Sequence, residues 1–245
     1  MNAINKIADR YNLYIIEDSA HCIEGQRDGI RPGQLSTAAV FSFYATKNIT
    51  SGEGGAVVTN DTVIAEKVRV LRSHGVVKGN MMQSISDRRG EWYYDVEKLG
   101  SNYRITDIQA ALGLSQLNKI DEFKKRRRVI VEYYNEELKD LVELILPYEK
   151  ENVDSNFHIY VIQIRENVRF DRYDVFKLLQ EYQYKPMVHY IPLHMLSYYR
   201  NLYGHRKGDY PVAEQYYDAA ISIPLYPSLS DADIEKVVND IVSVI

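Results

Sequence analysis

Phe41-Ser42-Phe43-Tyr44-Ala45-Thr46-Lys47-Asn48-Ile49-Thr50-Ser51-Gly52-Glu53-Gly54-Gly55 is the stretch on which the reading of this chain turns, together with Glu17-Asp18-Ser19-Ala20-His21. Each adjoins a short apolar run. Leu13 to Ile16 reads as a buried strand ending at Glu17-Asp18, and Ala38 to Phe43 reads as a second strand. Ligands of open α/β sheets sit beyond the carboxyl ends of the strands. Asp18, His21, Ser42 and Lys47 are therefore expected along one crevice edge: a carboxylate, an imidazole, a hydroxyl and an amine. Taken singly, each has a plainer reading. An acidic residue at a strand end caps a turn, a lysine is solvated, and a lone histidine is hydrogen-bonded structure. Their order along the chain favours chemistry.

Outward from this stretch, Ile4, Ile7, Ala8 and Tyr11 follow helical spacing, so a helix occupies the first dozen residues. Residues 19 to 36 carry Gly25, Gly29, Pro32 and Gly33 and read as a loop. Gly55 to Thr59 reads as a third strand, and Val63, Ile64, Val68 and Leu71 mark a following helix. This order predicts an α/β architecture with a mostly parallel sheet. Two or three strands cannot bury both faces of such a sheet, so the N-terminal half reads as part of a larger layer. Residues 76 to 101 read as a long polar loop. Thr106 with Gln109 resembles a capping box opening a helical stretch that runs to Leu138. Strands are expected at 157–164 and 187–190, with helices near 172–182, 210–220 and 231–243. The division falls near residue 122: residues 1–122 form the C-terminal part of a large domain, and residues 123–245 a smaller α+β domain.

Composition limits the function classes. With 30 Lys plus Arg against 34 Asp plus Glu, the net charge of −4 lacks the basic field of a nucleic-acid binder. Hydrophobic residues at 45% and charged residues at 26% exclude a disordered chain. The single cysteine, Cys22, cannot form an internal disulfide. No apolar run reaches the roughly 20 residues that a membrane helix needs. No signal peptide opens the chain, so the expectation is a cytoplasmic protein with neither membrane nor nucleic acid as partner.

A lysine flanked by apolar residues and glycines is a candidate Schiff-base nucleophile of lowered pKa, and an aspartate facing it suits a pyridinium nitrogen. The two motifs above resemble those of the DegT/DnrJ/StrS family of pyridoxal phosphate-dependent nucleotide-sugar aminotransferases. Further matches are Arg72-Ser73-His74-Gly75, Asn102-Tyr103-Arg104, Gln109-Ala110-Ala111-Leu112-Gly113 and Ser155 to Tyr160. His189-Tyr190-Ile191-Pro192-Leu193-His194 and Ile223-Pro224-Leu225-Tyr226-Pro227 complete the likeness, which covers the whole chain.

The resemblance implies the aspartate aminotransferase type I fold and pyridoxal 5′-phosphate as cofactor. It implies that Lys47 is the catalytic lysine bonded to the cofactor, and that Asp18 binds its pyridine nitrogen. His21 falls where the family has Gln or His near the ring hydroxyl, and Ser42 where it donates to the phosphate. Asn102 resembles a residue that reaches the cofactor phosphate of a neighbouring subunit, which implies a homodimer with shared sites. His189, Tyr190 and His194 fall in a loop near the sugar site. Members with histidine at the lysine position are dehydratases, so Lys47 argues for amino transfer, with glutamate the expected donor and a nucleotide-linked keto-deoxysugar the acceptor. The product would serve a surface polysaccharide or glycan. Family members also carry a preceding segment with a phosphate-binding helix N-terminus and a ring-stacking aromatic, neither assignable here. The alternatives are a truncated, catalytically inactive homologue serving as an interaction or dimerisation module, or a different reaction on the same cofactor.

Other clusters have bland readings. Lys124-Lys125-Arg126-Arg127-Arg128 reads as a solvated helix face. His189 and His194 match no metal-ligand spacing and have no carboxylate adjoining them in sequence. Gly52-Glu53-Gly54-Gly55 is neither a P-loop nor a dinucleotide fingerprint.

Overall fold

The computed structural model describes residues 1–78, 92–166 and 170–245. In chain order the elements begin with α1 (Asn2–Tyr11), β1 (Ile16–Asp18), β2 (Gln26–Arg27), β3 (Ala38–Ser42) and β4 (Gly55–Val58). Next come α2 (Thr62–Leu71), β5 (Val76–Lys78), β6 (Tyr94–Val96), α3 (Asp107–Leu117) and α4 (Ile120–Leu138). Then follow β7 (Leu144–Ile145), β8 (Val153–Asp154), β9 (Tyr160–Ile164), α5 (Arg172–Glu181) and α6 (Ser197–Tyr203). The chain ends with α7 (Pro211–Ala219), β10 (Ala220–Ile223) and α8 (Asp231–Val244). Two compact units result: Met1–Ile120 with Asn152–Ser155, and Asp121–Glu151 with Asn156–Ile245.

In the first unit β1 pairs with β3 in parallel, and β3 pairs with β4 antiparallel. The parallel β1–β3 pair fits the α/β architecture expected from sequence, and β4 joins it antiparallel because a hairpin loop connects β3 to β4. The expectation of a buried strand over Leu13–Ile16 fails. Leu13, Tyr14 and Ile16 are 59%, 82% and 70% exposed, and the strand itself begins only at Ile16. Part of the long loop at 76–101 is a hairpin, β5 paired with β6, while residues 79–91 of that expectation lie outside the described residues. Gly75 and Gly100 seat it: a Cβ on Gly75 would meet the carbonyl of Lys98, and one on Gly100 the backbone nitrogen of Gly75. The capping box forms as read, with Thr106 Oγ1 accepting from the Gln109 amide at 3.2 Å. The helical stretch behind it breaks at Asn118, so α3 and α4 are separate helices.

The second unit is an antiparallel sheet in the order β10-β9-β7, packed by α4, α5 and α8. Its core includes Ile130, Tyr134, Leu138, Ile162, Val175, Ile221, Val237 and Ile241. Each of these helices contributes apolar residues at three- and four-residue spacing, the pattern of one buried face. Two phenols are buried among them. Tyr134 donates to the Pro224 carbonyl at 2.9 Å and Tyr160 to Asn135 at 2.7 Å, while burial pushes both hydroxyls to higher pKa. The expected strand at 187–190 is reduced to one bridge between Met187 and Ser222, whose amides and carbonyls bond reciprocally. The expected helix at 210–220 stops at Ala219, where the chain passes straight into β10.

The basic run is not a solvated face. Arg127 is 4% exposed and donates to the carbonyls of Phe157, His158 and Leu225 at 3.2, 3.3 and 3.0 Å. Arg126 donates to the Leu229 carbonyl and to Asp231, and Arg128 grips Glu149 through both terminal nitrogens at 3.0 and 2.9 Å. Helical spacing places Arg127 on the face of Ile130, Val131 and Tyr134, which is why this one cation is drawn inside. Replacing Arg127 with Met keeps the side chain's length but removes the guanidinium that donates to the carbonyls of Phe157, His158 and Leu225. Urea denaturation is expected to show a loss of at least about 2 kcal/mol, against no more than about 0.5 kcal/mol for exposed Lys125→Met.

His194 and Glu214 form a second buried polar pair, Nε2 to Oε1 at 2.7 Å. The Glu214 carboxylate also accepts from the Gly208 amide at 2.8 Å, tying the 204–210 turn to α7. The hydrogen bond from His194, aided by the Gly208 and Tyr210 amides, holds the Glu214 carboxyl below its ordinary value of 4.5. Its folded pKa is depressed, so its stabilisation is present above the unfolded value and is lost as pH falls through the folded one. Glu214→Gln is therefore expected to lower the thermal midpoint near pH 7 and to flatten the acid limb of the midpoint-versus-pH curve. An unchanged acid limb would remove the pair from the acid response.

Candidate functional site

The site begins where β1 and β3 end. Their parallel register sets Asp18 beside Val40, so Ser42 lies two residues further toward the carboxyl edge. Alternation along β1 separates the acidic pair. Glu17 accepts from the Gly33 amide at 2.9 Å and so holds the 31–34 turn, leaving Asp18 for the other face. Asp18 also caps its own turn, accepting from the Ala20 amide at 3.1 Å. The cap reading and the charge reading thus apply to one carboxylate.

Lys47 sits in the loop between β3 and β4. The neck of that loop is closed by Phe43 and Gly54, amide to carbonyl at 2.9 Å, and by the Ser51 amide donating to the Phe43 carbonyl at 2.9 Å. Thr50 Oγ1 donates to the same carbonyl at 3.2 Å and accepts from the Gly52 amide at 2.8 Å. Asn48, Ile49 and Ser51 are buried, anchoring the loop immediately after the lysine. Gly55 is required by close approach, since a Cβ there would lie 2.8 Å from the Phe41 carbonyl oxygen. Inside this frame Lys47 is half-buried. Desolvation lowers its pKa from the ordinary 10.5, and the nearby Asp18 carboxylate opposes that shift. Among the predicted residues, Asp18 is the one whose charge acts on the Lys47 amine.

His21 is exposed in the turn after β1, three residues past Asp18. Ser42, the last residue of β3, is half-buried with its Oγ accepting a long 3.4 Å contact from the Tyr44 amide. Asn102 belongs to a different stretch, bridged to Ser73 and flanked by a Tyr103 amide that donates to the Arg72 carbonyl at 2.8 Å. In the second unit, His189 Nδ1 is 2.6 Å from Ser222 Oγ, and Tyr190 is 61% exposed. His194 is buried against Glu214, so a carboxylate does adjoin this histidine in space although none does in sequence. Twenty residues separate that pair, with no periodicity to betray it. Among the described residues no group of three or more His, Cys, Asp and Glu is arranged to hold a metal ion. No helix among them is long and apolar enough to cross a membrane.

Comparison with known proteins places this geometry in context. The spore coat polysaccharide biosynthesis protein SpsC of Bacillus subtilis is 38% identical over 241 residues, covering 98% of this chain and 61% of the relative. A UDP-4-amino-4,6-dideoxy-N-acetyl-beta-L-altrosamine transaminase of Campylobacter jejuni is 30% identical over 245 residues, covering 100% of the chain and 62% of that protein. Among solved structures, Helicobacter pylori PseC, an aminotransferase involved in the biosynthesis of pseudoaminic acid, superposes with a TM-score of 0.89 at 28% identity. That superposition covers 99% of this chain and 62% of PseC, so the chain spans a little over three fifths of the proteins it matches. Residues 1–242 match the DegT/DnrJ/EryC1/StrS aminotransferase family, and with the strand-end pair of Asp18 and Lys47 on the same frame, the chain belongs to that family.

Proposed function

We propose that this chain carries the lysine and the ring- and phosphate-binding residues of a pyridoxal phosphate-dependent aminotransferase that acts on a nucleotide-linked keto sugar. The observation that carries the reading is the Lys47 amine, its proton affinity lowered by burial and faced by Asp18, at the carboxyl edge of the β1–β3 pair. The aminotransferases of this family use pyridoxal phosphate. The donor set suits that group: an amine for its carbonyl carbon, a carboxylate for its ring nitrogen and a hydroxyl for its phosphate. When bound, the cofactor supplies an electron-withdrawing ring that makes the Cα proton of an amino acid removable.

The chain's residues do the rest. Lys47 attacks as the neutral amine, so burial that disfavours its ammonium form raises the reactive fraction near neutral pH. As a free amine Lys47 would also be the base placed to take up the proton of the amino-acid carbon and return it. Asp18 would hold the cofactor's ring nitrogen and favour its protonated form by charge. His21 lies within three residues of Asp18 and is assigned to the ring hydroxyl, and Ser42 to the phosphate. Asn102 is assigned to the cofactor phosphate of a second subunit, which makes the working unit a homodimer. His189 and Tyr190 are assigned to the sugar; His194 supports their loop through Glu214. The polysaccharide and UDP-sugar names of the two relatives support a nucleotide-linked sugar as acceptor, and glutamate is the donor we assign.

Lys47 is tested by adding pyridoxal phosphate, reducing with borohydride and mapping the modified peptides. Modification is expected at Lys47 ahead of the other lysines, and Lys47→Ala is expected to abolish the half-reaction with glutamate. Modification spread evenly over surface lysines, with turnover retained in Lys47→Ala, would refute the assignment.

Asp18→Asn conserves volume and removes the charge. Turnover is expected to fall about a hundredfold or more, the equivalent of about 3 kcal/mol of lost charge stabilisation. Removing the carboxylate also removes the influence that raises the Lys47 pKa, so the pH profile of Lys47 labelling should move to lower pH. A wild-type rate with an unmoved profile would reduce Asp18 to a turn cap.

A further inference from the structure

We propose that Ser222 is a positioning residue for the sugar site. Its buried hydroxyl donates to Nδ1 of His189, which fixes the imidazole proton on Nε2 and makes His189 a hydrogen-bond donor to its ligand. The role in binding rests on the assignment of His189 to the sugar; the position of the proton on the ring does not.

The contact follows from the ladder. Ile221 and Ile223 of β10 belong to the core, so alternation sends Ser222 to the opposite face of the sheet. Along the edge of β10 away from β9, the Ser222 amide donates to the Met187 carbonyl at 2.7 Å, and the Met187 amide donates to the Ser222 carbonyl at 3.3 Å. Two residues beyond Met187, His189 returns to the side of Ser222, and its Nδ1 stands 2.6 Å from the Ser222 Oγ. The Tyr190 ring packs edge-on against the imidazole, with ring centres 4.6 Å apart. Two backbone bonds, a hydroxyl and a neighbouring ring thus bear on one side chain.

The hydroxyl decides the direction of the bond. It has one proton to donate and two lone pairs, whereas a neutral imidazole donates from one nitrogen and accepts at the other. Among the described residues, the His189 ring is the hydrogen-bond partner of the Ser222 hydroxyl, and Ser222 is 6% exposed. A proton on Nδ1 would make the hydroxyl the acceptor and bury its own proton without a partner, a costlier omission than an unused lone pair. The separation points the same way: 2.6 Å is short for an N–H donor and ordinary for an O–H donor. His194, five residues on, is wired in the opposite sense. Its Nε2 meets the Glu214 carboxylate, which only accepts, so that N–H is used within the protein. An Nε2–H on His189 suits a carbonyl, phosphoryl or hydroxyl oxygen of the ligand and rejects a group that can only donate.

The test is nitrogen NMR of protein carrying isotope-labelled histidine, at about pH 8.5, where an ordinary imidazole is neutral. The signals missing from His189→Gln identify the ring. The unsubstituted protein and Ser222→Thr, which keeps the hydroxyl, are expected to show the proton on Nε2. Ser222→Ala is expected to move the Nδ1 signal and to let the proton spread over both nitrogens. Uridine diphosphate N-acetylglucosamine is then titrated as the ligand probe. Its affinity is expected to fall about tenfold in Ser222→Ala and to stay within about twofold in Ser222→Thr, since one oriented hydrogen bond is at stake. A proton on Nδ1 in the unsubstituted protein, or His189 signals that Ser222→Ala leaves unmoved, would overturn the proposal. Equal affinity in Ser222→Ala and the unsubstituted protein would overturn it too, by reducing Ser222 to a strand residue. His189 signals indifferent to millimolar probe, with the proton fixed on Nε2, would instead overturn the sugar assignment. Borohydride mapping at Lys47 is read separately, so the amino-transfer reading and this one can fail independently.

Discussion

Burial and charge pull the Lys47 amine in opposite directions, and the surrounding loop is built to keep both influences acting on one nitrogen. A fully solvated lysine would stay protonated, and a lysine paired tightly to a carboxylate would be held still more firmly as a cation. Here desolvation dominates and Asp18 moderates it. That balance needs a fixed separation between a strand end and a loop. The parallel β1–β3 register supplies one half of the frame, and the closed neck at Phe43, Ser51 and Gly54 supplies the other. Glu17 contributes indirectly, since its bond to the Gly33 amide fixes which of two adjacent carboxylates faces the lysine.

The second unit places charge for a different end. Arg127 lies in the core with its guanidinium donating to the carbonyls at 157, 158 and 225, and so joins the segment before β9 to the segment after β10. Arg128 and Arg126 do the same for Glu149 and for the start of α8. Buried and half-buried cations of this kind cost desolvation, which multiple directed hydrogen bonds offset. Glu214 follows the same rule with reversed sign, held by His194 and by backbone amides.

What the sequence disclosed, and what it hid, divides along these lines. Local signals were legible: the Thr106–Gln109 capping box, the apolar spacing of α2, α5 and α8, and the motif order carrying the family resemblance. Interactions between distant residues were not. Nothing in Lys124 to Arg128 separates the one arginine that enters the core from the neighbours that stay outside, because the deciding carbonyls lie 30 to 98 residues away. The hairpin that turns β4 antiparallel was concealed by strand composition alone, which carries no direction. β10 was hidden because it follows α7 with no intervening turn residue, leaving no punctuation to mark the change. Of the site itself, the position of Asp18 at the end of β1 and of Lys47 just past β3 was legible from the strand pattern. The enclosure that lowers the lysine's pKa depended on loop closure that only the fold provides.

The same contrast separates two uses of positive charge in one acidic chain. A cation that serves architecture is surrounded by acceptors that the protein itself supplies, as Arg127 and Arg128 are. A cation that serves a ligand must be left without them, and its position must then be held by something other than charge. Around Lys47 that restraint comes from the neck of the 43–54 loop and the buried residues after it. There the backbone bears the restraint so that the side chain remains available, and the chemistry of the amine depends first on main-chain geometry.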